Sequence, residues 1–332
     1  MSKIQTIAVL GDGGWGTTLA IHLVKKHYRV KLWGPFPEYL REIQKTRQNT
    51  KFLPGIEIPP ELGLTEKLDS ALQDAQLVIL AIPSQYLKGI LRQLKRFDLS
   101  HKMILSAVKG IDSVSLLRVS ELIHQELGKV KLAVLSGPTI AREVALGIST
   151  SAVIAAKDMR LARQLQSVFH SETFRIYTNS DVVGVELGGS LKNIIAIACG
   201  VCDGLGFGTN TKAAILTRGL NEMARLGTVL GAKPQTFAGL AGLGDLVTTC
   251  FSPQSRNRFV GEELGKGKTI TEITAQMHMV AEGVPTVKAV YRLGRRHKVS
   301  MPITTEIFNI IYKKKNPKTA VWDLMRRKVK AE

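Results

Sequence analysis

A lysine inside an otherwise apolar run is the residue of this chain whose chemistry most needs a reason. Over Val182 to Gly200, V-V-G-V-E-L-G-G-S-L-K-N-I-I-A-I-A-C-G, the only ionisable groups apart from Cys199 are Glu186 and Lys192. The remainder is apolar, small or neutral, the pattern of a helix buried on most sides. Burial disfavours an ammonium. Lys192 must therefore reach solvent, meet a carboxylate, or sit in a pocket where a mobile proton is used. Taken alone, the stretch also fits a lysine on the one wet stripe of a helix, and it is the rest of the chain that favours the proton site.

A second stretch could supply the carboxylate. Residues Ala238 to Arg258, A-G-L-A-G-L-G-D-L-V-T-T-C-F-S-P-Q-S-R-N-R, read as a glycine-rich loop between helices that carries Asp245, Thr249, Arg256 and Asn257. Small residues suit close backbone packing around a ligand, and a carboxylate among apolar neighbours is a candidate partner for Lys192. The competing reading is a compact interhelical turn with an N-capping aspartate and a surface arginine.

Near the amino end, an apolar strand at Ile4 to Leu10 leads into G-D-G-G-W-G at Gly11 to Gly16, an amphipathic helix from Thr17 to about Lys26, and a second strand at Val30 to Trp33. This is the setting in which a G-x-G-x-x-G motif holds a dinucleotide. Gly11 allows the tight turn, Gly13 lets backbone approach a pyrophosphate, Gly16 lets the helix lie close on the sheet, and the helix amides hold the anion. An acid at the end of the second strand would select NAD and an arginine NADP. Here the strand runs into W-G-P-F-P-E, with no acid before Glu38 and no arginine before Arg41. Both cofactors stay open.

To position these residues the chain must build alternating strands and helices. Strands are expected at Leu77–Ile82, Met103–Val108, Leu132–Leu135, Ala152–Ala156 and Phe174–Tyr177, with helices near Pro37–Gln48, in a stretch reaching about Phe97, near Ser115–Leu127 and near Met159–Phe169. Such βα alternation predicts a doubly wound parallel sheet whose ligands lie at the carboxyl ends of the strands, so Lys109, Gly137 and Thr139 should face the cofactor cleft. From Asp181 the pattern becomes helical, at Val182–Leu205, Thr211–Leu230 and several more from Phe259 to Arg327. The expected organisation is an α/β dinucleotide-binding domain over 1–180 and an all-α substrate-binding and catalytic domain over 181–332.

Composition bounds the function. A chain of 332 residues, 44% hydrophobic and 22% charged, belongs with globular proteins that bury a large core. The amino terminus reads straight into a strand without a signal-peptide pattern, no apolar run suits membrane insertion, and a cytoplasmic protein is expected. Cys199, Cys202 and Cys250 are too few for a disulfide framework, and the C-x-x-C lies inside the apolar helix, so core packing is expected of the pair. The formal net charge of +19 suits polyanionic small molecules steered in by the field as well as nucleic acid. Its clusters, Arg292 to Lys298, Lys313 to Lys318 and Arg326 to Lys330, lack interleaved aromatics; they read as solvated surface, with no specific nucleic-acid partner.

Together these stretches resemble the NAD(P)-dependent glycerol-3-phosphate dehydrogenases of bacterial type, over essentially the whole chain. The likeness is carried by G-D-G-G-W-G-T-T, F-L-P-G at Phe52 to Gly55, V-K-G at Val108 to Gly110, S-G-P-T at Ser136 to Thr139 and G-G-S-L-K-N at Gly188 to Asn193. It continues through D-G-L-G-F-G-T-N-T-K-A-A, G-L-A-G-L-G-D-L, S-P-Q-S-R-N-R, V-A-E-G-V at Val280 to Val284 and M-P-I at Met301 to Ile303. The resemblance implies a Rossmann-type domain followed by a helical one, NADH or NADPH as cofactor, and reversible reduction of dihydroxyacetone phosphate to sn-glycerol 3-phosphate for phospholipid synthesis, by a homodimer.

It further implies Lys192 as general acid and base, with Lys109, Asp245 and Thr249 around it. Substrate contacts are implied for Lys109, Gly137, Thr139, Lys192, Asn193, Asp245, Ser255, Arg256 and Asn257. Cofactor contacts are implied for Gly11, Gly13, Gly14, Trp15, Gly16, Pro83, Ser84, Lys109, Ala141, Arg256, Val280 and Glu282. The residue types agree. Hydride arriving at a carbonyl leaves negative charge on oxygen that an ammonium stabilises and protonates, a guanidinium fork suits a phosphate, and no metal is needed. Three positions depart from the family pattern. Gly14 replaces a common serine, Gly34-Pro35 stands where relatives carry a residue and arginine that go with NADPH, and Thr209 replaces an aspartate. The rival readings are another β-hydroxyacid-type dehydrogenase, which would take a carboxylate substrate, and a noncatalytic nucleic-acid-binding protein on a nucleotide fold.

Overall fold

The computed structural model describes residues 4–277 and 279–328. In its first half the order is β1 (Thr6–Leu10), α1 (Gly14–Lys25), β2 (Arg29–Trp33), α2 (Pro37–Thr46), β3 (Gln48–Asn49), β4 (Leu53–Glu57), β5 (Gly63–Thr65), α3 (Leu68–Leu72), β6 (Leu77–Leu80) and α4 (Ser84–Leu94). Then come β7 (Met103–Ser106), α5 (Val119–Leu127), β8 (Lys131–Ser136), α6 (Ala141–Ala145), β9 (Thr150–Ala155), α7 (Met159–Phe169) and β10 (Phe174–Asn179). The second half is helical: α8 (Val182–Gly204), α9 (Thr209–Val229), α10 (Pro234–Phe237), a π-helical turn at Leu240–Gly244, α11 (Asp245–Phe251), α12 (Arg256–Gly265), α13 (Ile270–Ala275), α14 (Gly283–Arg296), α15 (Pro302–Lys313) and α16 (Pro317–Met325).

Eight strands form one sheet in the order β10-β9-β8-β7-β6-β1-β2-β5. From β5 across to β8 all neighbours are parallel. At the far edge β9 runs antiparallel to β8, and β10 follows β9. The expected parallel sheet is therefore corrected at this edge, where the connection carries only a short helix. β8 has 6 residues and spans about 20 Å, but α6, between β8 and β9, has 5 and rises only about 8 Å. With no helix there long enough to pack along the sheet and carry the chain back to the start of β8, β9 is entered from the end the chain has just reached. The 11-residue α7, rising about 16 Å, is long enough for a crossover that leaves β9 and β10 parallel.

That reversal decides where α8 begins. The helix starts at the edge of the sheet opposite the carboxyl ends of β7 and β8 and climbs past them, so that Lys192 arrives about 15 Å along its axis. Glycines make the passage close. A Cβ on Gly189 would lie 2.4 Å from Ser136 Oγ, and one on Gly200 would lie 2.0 Å from the carbonyl oxygen of Arg258 on α12. By length and composition α8 could cross a membrane, yet 94% of its most apolar window is buried inside the protein. Cys199 and Cys202, like Cys250, are free and buried, in keeping with core packing.

Other boundaries differ from the sequence reading for local reasons. α1 begins at Gly14 rather than Thr17, because the glycines that depress helix propensity occupy its first turn. α5 begins only at Val119, since Asp112 accepts hydrogen bonds from the Ser115 amide at 2.6 Å and holds a turn that continues through Leu116 at φ 64°. The Pro-punctuated segment after α2 holds the β3–β4 hairpin and edge strand β5, all too short for periodicity to register. The basic clusters at the helix ends are exposed: Arg295 and Arg296 close α14 and Lys313 closes α15, where cations complement the helix dipole. Val329 and Lys330 of the third cluster lie outside the described residues.

Candidate active site

Lys192 is 6% exposed and Asp245 1% exposed. The Lys192 ammonium donates to Asp245 Oδ1, and to Thr249 Oγ1 at 2.6 Å. The second carboxylate oxygen accepts from Lys109 Nζ at 2.8 Å, and Lys109 also donates to the Gly137 carbonyl at 2.9 Å and to Thr139 Oγ1 at 3.3 Å. Four motifs that are remote in sequence thus converge on one carboxylate between two ammonium groups. Burial pushes the Lys192 pKa down to about 8; the attraction of Asp245 opposes this, and the neighbouring Lys109 charge adds to the fall. An amine that titrates near neutrality in a dry, hydrogen-bonded setting is equipped to hand over a proton and recover it.

The segment expected as a glycine-rich loop is instead helical. A wide π turn at Leu240–Gly244 feeds directly into α11, whose first residue is Asp245. Asp245 therefore caps nothing and points its carboxylate at Lys192. Close packing explains the helix: a Cβ on Gly242 would lie 2.1 Å from the Phe237 carbonyl oxygen, and one on Gly188 2.4 Å from that of Ala241. Thr249, one turn on, bonds the Asp245 carbonyl at 2.7 Å and so presents its oxygen to Lys192.

On the substrate side, Ser255 caps α12 by accepting from the Arg258 amide, which places Arg256 and Asn257 in the first turn. Asn257 Nδ2 donates to Asn193 Oδ1 at 2.9 Å, while Asn257 Oδ1 accepts from the Gly283 amide at 2.8 Å. This chain of amides fixes α12 and the start of α14 to the residue after Lys192. Arg256, exposed, donates to the Val280 carbonyl at 2.9 Å, leaving the rest of its fork for an anion. Glu282 accepts from the Ser84 amide at 2.9 Å and from its hydroxyl at 2.5 Å, tying the helical half to the start of α4 just after Pro83. Burial raises the Glu282 pKa against these hydrogen bonds.

The glycine loop fits a dinucleotide phosphate. Gly13 caps α1 with no side-chain hydrogen bond, so the first amides of a 12-residue helix have no partner from a capping side chain. A Cβ on Gly13 would meet nothing within 4 Å, whereas one on Gly16 would lie 1.8 Å from the Gly11 oxygen, as the separate roles of these glycines require. Gly11 holds φ at 120°. At Gly14 a Cβ would lie 2.4 Å from the Phe52 carbonyl oxygen, so glycine goes with the close approach of F-L-P-G and a serine would not fit this backbone. Trp15 turns its ring edge-on to Phe174, with centroids 6.4 Å apart. Ala141 opens α6, its carbonyl accepting from Thr18 at 3.0 Å. Thr209 is exposed at the start of α9, and nothing in the structure explains its choice.

Some site-shaping groups escaped the sequence reading. Glu186 is buried and accepts from Arg118 Nη1 at 2.5 Å, from the Ser120 amide at 2.7 Å and from its hydroxyl at 2.6 Å, which anchors α8 below Lys192. Ser190 Oγ bonds the Gly110 carbonyl at 3.1 Å and so fixes α8 to the turn bearing Lys109. A lone Glu186 in an apolar run was the available signal, but its partners come from another element. A cavity of about 510 Å³ opens at the other end of the sheet, beside His101, Arg118, Lys131 and Lys157. It contains none of the converging residues, so the chemistry rather than the cavity locates the site.

Comparison with known proteins agrees with this geometry at both ends of the chain. The family models for the NAD-dependent glycerol-3-phosphate dehydrogenase N-terminus and C-terminus match residues 6–162 and 181–322. The glycerol-3-phosphate dehydrogenase [NAD(P)+] of Citrifermentans bemidjiense is 47% identical, with 99% of each chain covered. That of Geobacter sp. strain M21 is 48% identical over the same shares. The crystal structure of glycerol-3-phosphate dehydrogenase from Coxiella burnetii superposes with a TM-score of 0.95 at 37% identity, covering 98% of this chain and 99% of that one. With both halves matched and the lysine-carboxylate centre lying where the two meet, this chain belongs to the NAD-dependent glycerol-3-phosphate dehydrogenase family.

Proposed function

We propose that the protein catalyses the reversible reduction of dihydroxyacetone phosphate to sn-glycerol 3-phosphate with NADH or NADPH, and that Lys192 moves the proton. The observation that carries this is the buried Lys192 ammonium held by Asp245 and Thr249 beside Lys109. The cofactor supplies the hydride that reaches the carbonyl carbon and takes it back in reverse. Lys192 gives its proton to the oxygen as charge develops there and leaves a neutral amine; in oxidation that amine removes the hydroxyl proton. Asp245 keeps Lys192 charged enough to donate. Lys109 lends a second positive charge to the carbonyl side and, between Gly137 and Thr139, cannot swing away.

Arg256, with the capped start of α12 at Ser255 and the Asn257–Asn193 pair, holds the substrate phosphate. Pro83, Ser84, Val280 and Glu282 line the cofactor where the two halves of the chain meet, with Ala141 at the loop side. A homodimer and a cytoplasmic role in supplying glycerol phosphate for phospholipids complete the reading. Supporting the dimer, Leu243, Val247 and Phe251 stand 40%, 41% and 49% exposed along one helical segment. The test is the initial rate of dihydroxyacetone phosphate reduction, followed by loss of NADH or NADPH absorbance. Folded protein that turns over neither cofactor would refute the activity.

A further inference from the structure

The segment from Arg292 to Lys328 holds eleven lysines and arginines against two acids, Glu306 and Asp323, and so carries nearly half of the formal net charge of +19. None of these groups belongs to the lysine-carboxylate centre or to the phosphate contacts. One cation takes up both acids: Lys315 Nζ lies 2.5 Å from Glu306 Oε2 and 2.7 Å from Asp323 Oδ2. The other ten are exposed and form no ion pair among the described residues.

The fold gathers them. α14 packs on α15 and α15 on α16, and α16 returns to the turn between α14 and α15, where Val299, Pro302, Leu324 and Arg327 line one hollow. The clusters Arg292 to Lys298 and Arg326 to Lys328 thus meet at one end of this layer, while Lys313, Lys314 and Lys318 lie at the other end of α16. That helix has 9 residues and rises about 14 Å, so its two ends stand within about two Debye lengths of each other at physiological ionic strength.

An apolar ridge distinguishes this patch from a solvated basic face. Trp322 is 51% exposed and Met325 74%, and of the three tryptophans only Trp322 faces solvent. At about 100° per residue, Lys318, Trp322, Met325 and Arg326 fall on one stripe of α16, while Ala320 and Leu324 turn towards the protein. Asp323 lies outside the stripe. A tryptophan and a methionine between a lysine and an arginine suit a lipid interface, where the apolar groups reach the acyl boundary and the cations meet headgroup phosphates. Nucleic acid suits the patch less well. Tyr291, Phe308 and Tyr312, the aromatic residues of α14 and α15 nearby, stack on one another with ring centroids 3.9 Å and 5.2 Å apart, which leaves Trp322 as a single ring rather than a platform for successive bases.

We propose that α16, with the basic ends of α14 and α15, docks the protein reversibly on an anionic lipid surface, Trp322 and Met325 entering the headgroup region while no helix crosses the bilayer. The docking stands apart from the chemistry of the active site and does not depend on it.

The test is co-sedimentation of the full-length protein with vesicles of phosphatidylcholine, alone or mixed with phosphatidylglycerol, together with tryptophan emission. Binding to the mixed vesicles is expected to exceed binding to the neutral ones by about tenfold or more and to fall by a similar factor between about 0.1 M and 0.5 M salt. Emission should shift to the blue on binding, and Trp322→Ala should abolish the shift. Trp322→Ala and the double variant Arg326→Glu with Arg327→Glu should each weaken binding about tenfold or more, with thermal melting unchanged because these side chains are exposed. Lys318→Glu provides a third variant on the same stripe. Failure to bind the mixed vesicles, equal binding to both kinds, or binding that the folded variants leave unchanged would overturn the proposal. Displacement from the vesicles by a single-stranded DNA oligonucleotide whose binding needs Trp322 would make the patch a nucleic-acid surface and overturn it. A sedimentation shift from dimer to monomer on Trp322→Ala would make it a contact between two copies and overturn it too.

Discussion

Lys192 and Asp245 stand 53 residues apart in the chain, on different helices, and share a hydrogen bond in the interior. Neither group is explained without the other. Taking Asp245 away strands the buried Lys192 charge, which typically destabilises by about 3–5 kcal/mol, whereas Asp245 keeps Lys109 when Lys192 is removed; the pair is weak evidence of stability and good evidence of purpose.

Replacement of Lys192 by alanine removes the proton donor and should depress turnover by about 10²-fold to 10⁴-fold, the usual contribution of general acid catalysis. NADH affinity should hardly change, because the glycine loop lies elsewhere. Near-normal turnover in folded protein would assign the proton to another group.

The lowered Lys192 pKa gives the two directions opposite pH dependences. Reduction needs the ammonium and should weaken as pH rises through about 8; oxidation needs the free amine and should strengthen over the same interval. Asp245 attracts the charged form, so Asp245→Asn should move both limbs to lower pH. Rate profiles in each direction, with the chemical step isolated by single turnover, would check this, and coincident profiles would contradict it.

Arg256→Lys exchanges a planar fork for a point charge at the proposed phosphate site. The Michaelis constant for dihydroxyacetone phosphate should rise about tenfold or more with a smaller change in kcat. An unchanged constant would put the phosphate elsewhere.

Gly200→Ala tests the helix contact that supports the site. The added Cβ would lie 2.0 Å from the Arg258 carbonyl oxygen, a backbone atom that cannot rotate away. α8 and α12 would have to part, at a cost of about 1–3 kcal/mol. Denaturant unfolding should show a lower midpoint, and a midpoint equal to wild type would mean that the helices separate freely.

Much of this protein was written locally. The glycine spacing at Gly11, Gly13 and Gly16, the apolar strands and the amphipathic helices between them follow from backbone sterics and hydrophobic periodicity, which act over a few residues. Lys192 announced itself for the same reason, as an isolated charge in an apolar run. Lys109, Gly137, Thr139, Lys192, Asp245 and Thr249, all named through motif resemblance, are joined by hydrogen bonds, because the loops that carry Lys109, Gly137 and Thr139 leave the sheet at one edge.

Tertiary structure decided what depends on pairing between distant segments. Periodicity carries no strand direction, so the reversal of β9 and β10 came from an α6 too short to cross back. Glycine-rich sequence looked like loop at Ala238 to Arg258, but close packing on Phe237 and α8 made it a π turn and a helix, and set Asp245 against Lys192. Glu186 had no visible partner until α5 brought Arg118 and Ser120 to it. In each case the deciding energy, whether steric contact, desolvation or a hydrogen bond across elements, exists only after the chain has brought together groups that the sequence keeps apart.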